Sequence, residues 1–235
     1  MNRLIDVEIE RVVSSVERSL TASVRAASSA LATGRDFEDA LAQTSIAEAY
    51  EDLWVSVAPR FAGKVYDAVI DAKNFTPEQY DVWEGAVKQY VLAEGGVRIA
   101  QIDAFTATWV RGAVKAITQE ALEQGWGTER IARELRVRWK EISRTRALRI
   151  AQTETNAAAN YGSLQGATTA GMGRKYWIPV IDGRTRHTHI SMVAHPPIPV
   201  TGVFKVGDSF LSHPSAPGGE AKEVVNCRCQ LGYLP

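Results

Sequence analysis

Apolar residues at intervals of three and four positions are the feature that most limits how the first part of this chain can fold. In the N-terminal segment they recur at Ile5, Ile9, Val12, Val13, Val16, Leu20 and Val24. On an α-helix these positions form one continuous stripe along a single face. We therefore predict that the chain begins with a long helix that buries this stripe, and that Gly34 ends it.

Start and stop signals predict that helices continue through the first three quarters of the chain. Ser45-Ile-Ala-Glu48 and Thr76-Pro-Glu-Gln79 both fit the capping box, in which two side chains satisfy free backbone N–H groups at a helix start. Further boundaries are expected at Gly95-Gly96, at Gly125-Trp126-Gly127 followed by Thr128 as a cap, and at Ser143, which would cap a last helix that runs to Gly171.

The composition of the chain changes near residue 172, where glycine, proline and β-branched residues replace the alanine-rich pattern. The segment from Lys175 to Ile181 is typical of a strand, and Asp182-Gly183 is typical of a tight turn between two hairpin strands. We therefore predict an α+β fold that is mainly α. Residues 1–171 would form a helical region, and residues 172–235 a small loop-rich β module.

All four histidines and both cysteines of the chain lie in this predicted module. Cys227 and Cys229 have one residue between them, which is too close for an unstrained mutual disulfide. Zinc prefers sulfur and nitrogen ligands, and a small module with few apolar residues gains most from a bound metal. We predict a zinc site formed by Cys227, Cys229 and His189, with His187, His213 or Asp182 as the further ligand. The alternative is that the thiols are small buried packing residues. No other cofactor is predicted.

A second polar cluster follows the predicted strand, from Asp182 to His189. We interpret it as a hydrogen-bonded turn in which Asp182 accepts backbone N–H groups and Arg184 or Arg186 pairs with Glu154. The alternative is a metal-dependent hydrolase or nuclease that uses Asp182, His187 and His189. The sequence has no His-Glu-x-x-His, P-loop or Gly-x-Ser-x-Gly motif, so we assign no catalytic residue and predict a protein that is not an enzyme.

Charge is balanced over the whole chain, with 27 basic and 27 acidic residues. This balance argues against a protein that coats nucleic acid along its entire surface. A local basic segment is nevertheless present between residues 130 and 149, and it could bind DNA phosphates or an acidic partner. The candidate binding residues are Arg130, Arg133, Arg136, Arg138 and Lys140. The alternative is that the acidic segment 36–52 neutralises these charges within the molecule.

No secretory or membrane-spanning segment is expected from the sequence. Acidic residues stand near the N-terminus where a signal peptide would be apolar, and no apolar run approaches the length of a membrane helix. We therefore expect synthesis in a host cytoplasm and no membrane partner.

Four ordered motifs resemble the Mu F-like family of phage head morphogenesis proteins. The helical motif extends from Arg146 to Glu154 and continues with Asn156 and Tyr161. The other three motifs are Asp182-Gly-Arg-Thr-Arg-His-Thr-His189, the stretch from Val206-Gly207 to Pro214, and Val224-Val-Asn-Cys-Arg-Cys229. The resemblance begins near residue 110 and extends to residue 235. One departure is that His213-Pro-Ser-Ala-Pro217 lacks the acidic residue that the family often has before the cysteines.

The resemblance implies a minor head protein of a tailed phage. Such a protein would act in procapsid assembly and head morphogenesis, and it would be located in the virion, inside the head or near the portal. Its partners would be the portal protein, the major capsid or scaffold proteins and further copies of itself. Packaged DNA is a further candidate partner, and the protein would then contribute to DNA ejection.

Overall fold

Long helices form most of the structure. The computed structural model describes residues 2–71 and 75–235. Within these residues the helices that precede the first strand are α1 (Asn2–Ala32), α2 (Phe37–Ala42), α3 (Ala47–Ile70), α4 (Pro77–Tyr90), α5 (Gly96–Gln124) and α6 (Thr128–Thr169). No helix among the described residues combines the length and the apolarity that crossing a membrane requires.

Short strands and two single-turn helices follow α6. The strands are β1 (Arg174–Ile178), β2 (Ile198–Pro199), β3 (Phe204–Val206), β4 (Ser209–Leu211) and β5 (Gln230–Leu234). The one-turn helices are α7 (His187–Ile190) and α8 (Ala221–Val224). Strand β1 lies between β2 and β5 in an antiparallel sheet, while β3 and β4 form a separate hairpin. The prediction of an α+β fold that is mainly α is therefore confirmed.

Several helix boundaries agree with the signals in the sequence. Gly34 and Gly125 follow the ends of α1 and α5 with φ angles of 69° and 68°, a left-handed conformation that glycine adopts without strain. At the start of α4, Thr76 and Gln79 form the predicted capping box, with Pro77 in the first turn. These three predictions are confirmed.

Two other helix-boundary predictions are wrong. Ser143 lies inside α6 rather than at a cap, and its hydroxyl donates to the Glu17 carboxylate at 3.1 Å. Gly95 and Gly96 deform the helix rather than break it, because a π-helical turn over Val91–Gly95 continues directly into α5.

The start of α3 at Ala47 agrees with the prediction in part, because the Ser45 hydroxyl accepts from the free Ala47 N–H at 3.1 Å as expected. Asp103 takes the role predicted for Glu48, because its carboxylate accepts from the Ser45 hydroxyl at 2.6 Å and from the Ile46 N–H at 3.0 Å.

The predicted hairpin at Asp182-Gly183 is also wrong. Strand β1 pairs with β5 and β2, which come from distant parts of the sequence, and the chain after Asp182 enters α7 instead of a strand. A turn does form at Asp182, whose carboxylate accepts the Arg184 N–H at 2.9 Å, and this turn precedes α7.

The described chain divides into two compact units. The first comprises Met1–Arg11, Glu51–Val97 and Ala151–Pro235, and the second comprises Val12–Tyr50 and Arg98–Ile150. The first unit contains the whole β-rich segment together with parts of the helical region. The autonomy of residues 172–235 as a separate domain therefore stays a prediction.

Helices α3 and α6 approach each other closely in the first unit, because small residues face each other. A Cβ added to Gly162 would lie 1.9 Å from the Ala58 carbonyl oxygen, and one added to Gly166 would lie 2.1 Å from that of Ala62. Backbone therefore packs directly on backbone. Next to this contact, the rings of Tyr90 and Tyr161 stack with their centroids 4.0 Å apart.

The second unit is held by apolar residues and by polar contacts at its edges. Val110, Ile117 and Leu135 are fully buried. Trp139 packs edge-on against Trp109 at 5.0 Å, and its indole N–H donates to the Thr21 hydroxyl at 3.1 Å. The N-terminal apolar stripe predicted from the sequence is buried at Val12, Val13, Val16, Leu20 and Val24. Ile9, which precedes this unit, is half-buried.

Candidate functional site

A buried cluster of His189, Cys227 and Cys229 is the most distinctive chemical feature of the C-terminal segment. One potential metal-binding atom from each residue lies within 4.8 Å of the other two. The three residues are 1%, 3% and 2% exposed. The structure thus brings together three of the residues that the sequence analysis assigned to a metal site.

His189 stands at the centre of this cluster, on helix α7. Its Nδ1 atom lies 3.3 Å from the Cys229 sulfur and 3.6 Å from the Cys227 sulfur. Its Nε2 atom lies 3.1 Å from a carboxylate oxygen of Glu223. Because a carboxylate accepts hydrogen bonds, this contact places the imidazole proton on Nε2 and leaves the Nδ1 lone pair directed toward the two sulfurs.

Glu223 is fixed in place by its surroundings. The same oxygen that faces His189 also accepts from the Thr188 hydroxyl at 2.8 Å. Gly207, at the β3–β4 turn, has a φ angle of 58°, and a Cβ at this position would lie 2.5 Å from the other carboxylate oxygen of Glu223. Glycine is therefore needed for two reasons. Its left-handed φ angle forms the turn, and its lack of a side chain leaves room for the Glu223 carboxylate.

Helix α6 positions the cysteine segment through polar side chains on its buried face. The Asn160 amide donates to the Cys229 carbonyl at 3.1 Å, and Asn156 donates to the Ser215 hydroxyl at 3.0 Å. The Asn226 N–H donates to the Thr153 hydroxyl at 3.0 Å. Asn160 and Thr153 thus satisfy backbone groups on either side of the two cysteines, so they specify the path of the chain there.

Asp182 and Arg228 form a bidentate ion pair next to the cluster. Both guanidinium nitrogens lie 2.7 Å from a carboxylate oxygen. Hydrogen bonds from Arg228, followed by the Arg184 N–H, hold the pKa of the Asp182 carboxyl well below its ordinary value. This pair connects the turn after β1 to the residue between the two cysteines.

The two thiols influence each other strongly. A hydrogen bond from Cys227, supported by His189, lowers the pKa of Cys229 to about 5, although burial opposes this shift. The same sulfur–sulfur contact, together with burial, raises the pKa of the Cys227 thiol. Both shifts come from the same contact between the two buried sulfurs.

His187 and His213 lie apart from the cluster, which corrects the predicted ligand set. His187 is exposed on α7, because it precedes His189 by two residues on a short helix and points away from the core. His213 is fully buried among aromatic rings, with its Nε2 3.2 Å from the Tyr90 hydroxyl. Burial lowers the pKa of His213 to about 4.

The predicted ion pair from Glu154 to Arg184 or Arg186 does not form among the described residues. Arg186 donates to the Val225 carbonyl, and the guanidinium of Arg184 lies 3.8 Å from Asp182. Asp182 in the turn and the Val225 carbonyl after α8 are the nearer acceptors for these two arginines. Glu154 is buried on α6.

Lys175 on β1 is an unusual buried cation. Its side chain is fully buried, and its ammonium group donates to the Ser212 carbonyl at 2.8 Å beside the ring of Phe204. Burial lowers the pKa of Lys175 to about 8. This residue ties the central strand to the loop that precedes His213.

The basic residues of α6 differ in how far their side chains already contact other residues of the protein. Arg130 lies over the Trp126 ring at 4.1 Å, and Arg138 pairs with Glu120 at 2.7 Å. Arg133, Arg136 and Lys140 are exposed, although one guanidinium nitrogen of Arg136 donates to the Ser28 hydroxyl. Arg136 and Lys140 also line a groove of about 450 Å³ in the second unit, where α1 contributes Arg18, Arg25 and Glu17.

Sequence reasoning did not find the supporting residues of the cluster. Glu223 gave no signal because a lone acid four residues before Cys227 is common in surface helices. Asn156 was noted within a motif, but its role depends on a contact with Ser215 that is distant in sequence. Arg228 lies within the last of the four ordered motifs, but its pairing with Asp182 depends on the fold.

Comparisons with known proteins give one match. Neither a curated protein nor a solved structure matches the chain. Residues 113–232 match the family described as Phage Mu protein F like protein, and this range contains every residue of the buried cluster together with the side chains that position it. Because the match covers more than half of the sequence and agrees with four motifs that converge on one buried centre, this chain belongs to the Phage Mu protein F like family.

Proposed function

We propose that this protein is a minor head protein that acts during procapsid assembly, inside the head and in contact with the portal. Membership of the Mu F-like family supports a role in phage head morphogenesis. The portal, the major capsid or scaffold proteins and further copies of this chain are the proposed partners. Release with the DNA during ejection belongs to the same proposal.

The observation that supports this proposal is that residues of the family motifs contact one another inside the protein. Asp182 pairs with Arg228, the nitrogens of His189 face Glu223 and the cysteines, and Asn160 holds the Cys229 carbonyl. These contacts stabilise the C-terminal segment against α6. Such an arrangement suits a structural component that must stay folded within an assembly.

The alternative of a metal-dependent hydrolase receives less support from the geometry. Its three proposed residues are directed to different surroundings, with Asp182 bound to Arg228, His187 exposed and His189 buried. Hydrolysis requires reactive groups that converge on one accessible point.

Deletion of the gene from the encoding phage tests the head role. We expect particles that fail to mature or infect, and restoration by the intact gene supplied in trans. The matched comparison is the intact gene with His187→Ala, an exposed position that should restore infectivity fully. Normal burst size and infectivity in the deletion phage would contradict the proposal.

Mass spectrometry of purified procapsids and virions tests the proposed location. We expect the chain in both particles, at a fixed ratio to the portal protein, and crosslinks to the portal. A chain that is absent from particles, or crosslinked to outer capsid surfaces, would contradict an interior position near the portal.

We propose as a second function that the α1–α6 groove binds the phosphates of packaged DNA. Four cationic side chains line it, namely Arg18, Arg25, Arg136 and Lys140. The acidic lining residue Glu17 is already paired with Arg144 at 3.3 Å. The groove therefore keeps an excess of positive charge, which attracts a polyanion in a salt-dependent manner.

Binding of duplex DNA over a range of salt concentrations tests the groove. We expect Arg136→Ala with Lys140→Ala to weaken binding and to reduce the slope of log K against log salt by about 0.9 for each lost phosphate contact. Arg138→Ala is the matched control, because its guanidinium is already paired with Glu120. Equal losses in both variants, or no binding by the wild type at low salt, would contradict the proposal.

A further inference from the structure

Two sulfurs and one nitrogen of the buried cluster lie at separations that suit a shared central metal ion. The Nδ1 atom of His189 faces two sulfurs at 3.3 and 3.6 Å. In the tautomer that Glu223 imposes, Nδ1 has one lone pair, which can accept a hydrogen from one thiol but not from both. A central atom that both sulfurs and the nitrogen bind would account for their convergence.

We propose that Cys227, Cys229 and Nδ1 of His189 bind a structural zinc ion. With Zn–S bonds of about 2.3 Å and Zn–N bonds of about 2.0–2.1 Å, a tetrahedral site requires a sulfur–nitrogen separation of about 3.6 Å. The two observed separations lie close to that value. Three protein ligands leave the fourth position to a water molecule.

The charge of the proposed complex fits its burial. Zinc carries two positive charges and displaces one proton from each thiol, so two thiolates with a neutral imidazole give a complex without net charge. Burial of a neutral complex avoids the large cost of burying an isolated ion. The three ligands are nearly inaccessible to solvent, so this neutrality is required.

Glu223 acts in the proposal as a positioning residue rather than a ligand. A histidine that binds zinc commonly donates its other ring N–H to a carboxylate, which fixes the tautomer and the ring orientation. The 3.1 Å contact between Nε2 of His189 and Glu223 is this interaction. Gly207 and Thr188 keep the carboxylate in place.

An access route for the metal lies on the outer side of the cysteine segment. Cys227 lines a cavity of about 670 Å³ together with Asn226, Arg228 and Arg186. The cavity gives zinc and a chelator a path toward Cys227 without complete unfolding of the chain.

Metal analysis of the full-length protein, purified without a metal-affinity step or chelator, tests the proposal directly. We expect about one zinc per chain and a lower melting temperature after chelation, restored by zinc addition. After chelation, cobalt should bind and give the intense absorption of a thiolate–cobalt complex. Protein that contains no zinc, gains none on titration and melts identically with chelator would overturn the proposal.

Variants distinguish ligation from ordinary packing. Cys229→Ser and His189→Ala should abolish stoichiometric zinc, whereas His187→Ala, two residues away on the same short helix, should retain it. Glu223→Gln should retain binding with about 10–100-fold lower affinity. Full zinc binding by His189→Ala, or its loss in His187→Ala, would refute the assigned ligand set.

One measurement on wild-type protein remains decisive even if the ligand variants fail to fold. Under native conditions the two thiols should react slowly with a thiol reagent and become reactive once zinc has been chelated. Reactivity that chelator leaves unchanged, in a protein shown to contain no zinc, would identify the cysteines as packing residues.

Discussion

Asn160 illustrates how a single side chain specifies the path of the C-terminal segment. Its amide bonds the Cys229 carbonyl and is fully buried on α6. We predict that Asn160→Ala lowers the free energy of unfolding by about 1–3 kcal/mol, because a buried carbonyl loses a donor. Chemical denaturation measures the change. Gln119→Ala, at an exposed position of α5, should change it by less than about 0.5 kcal/mol, and an equal effect would contradict the assigned role.

His213 should make the stability of the protein depend on pH. Its pKa falls from the ordinary 6.5 to about 4 because it is buried, with Lys175 disfavouring its protonation further. The folded state therefore binds fewer protons than the unfolded state between these values, and stability must fall as the pH decreases from 6.5 to 4. The expected loss is up to about 3 kcal/mol. The other groups around the ring, Tyr90 and Tyr161, are neutral in this range.

The measurement is urea denaturation at several pH values for wild type and His213→Gln. We expect the variant to be less stable near pH 7 but to lose less stability on acidification. His187→Gln, at an exposed histidine, should keep the wild-type dependence. If all three proteins lose the same free energy between pH 6.5 and 4, burial of His213 does not control this transition.

The site could be predicted from the sequence at the level of residue type but not of geometry. Clustering of histidine and cysteine indicated His189, Cys227 and Cys229, which the structure brings together. It could not exclude His187 as the further ligand, because this depends on which face of a one-turn helix meets the core. Glu223, Asn160 and the Arg228 partner of Asp182 are likewise set by contacts between distant parts of the chain.

The contact between α3 and α6 depends on the absence of two side chains. Because a Cβ at Gly162 would lie 1.9 Å from the Ala58 carbonyl, Gly162→Ala must push the helices apart. We predict a loss of about 1–3 kcal/mol, measured by thermal or chemical unfolding. The same substitution at Gly85, where a Cβ meets nothing within 4 Å, should stabilise α4 by up to about 1 kcal/mol. Stabilisation by both would contradict the close approach.

Helices were predicted well where a local signal decides the outcome, and poorly where tertiary contacts do. Thr76 caps α4 as expected, since the box is complete within four residues. Ser143 has the same local preference, but it lies within α6 and its hydroxyl bonds Glu17 instead. Strand order could not be predicted from local sequence signals, because β1 pairs with β5, which lies near the other end of the module.

At the scale of the whole molecule, residues 172–235 were predicted as a separate module. Their core includes Leu164 of α6, and Asn156 and Asn160 of the same helix hold the cysteine segment. We predict that fragments 1–171 and 172–235, expressed together, co-purify as a complex, while 172–235 alone shows no cooperative unfolding. Co-purification and calorimetry test this. Cooperative unfolding of the isolated fragment would instead establish an independent domain.

Burial of Lys175 has a practical consequence for following the protein during assembly. An amine reagent can modify this side chain only when β1 separates from the Ser212 loop, whereas exposed lysines such as Lys140 react at once. Once β1 has separated from this loop, the Lys175 ammonium group is exposed to water and the reagent can reach it. The labelling rate of Lys175, divided by that of Lys140 in the same sample, therefore measures how often the C-terminal segment opens. The same comparison can be made in free protein and, before DNA is packaged, in procapsids.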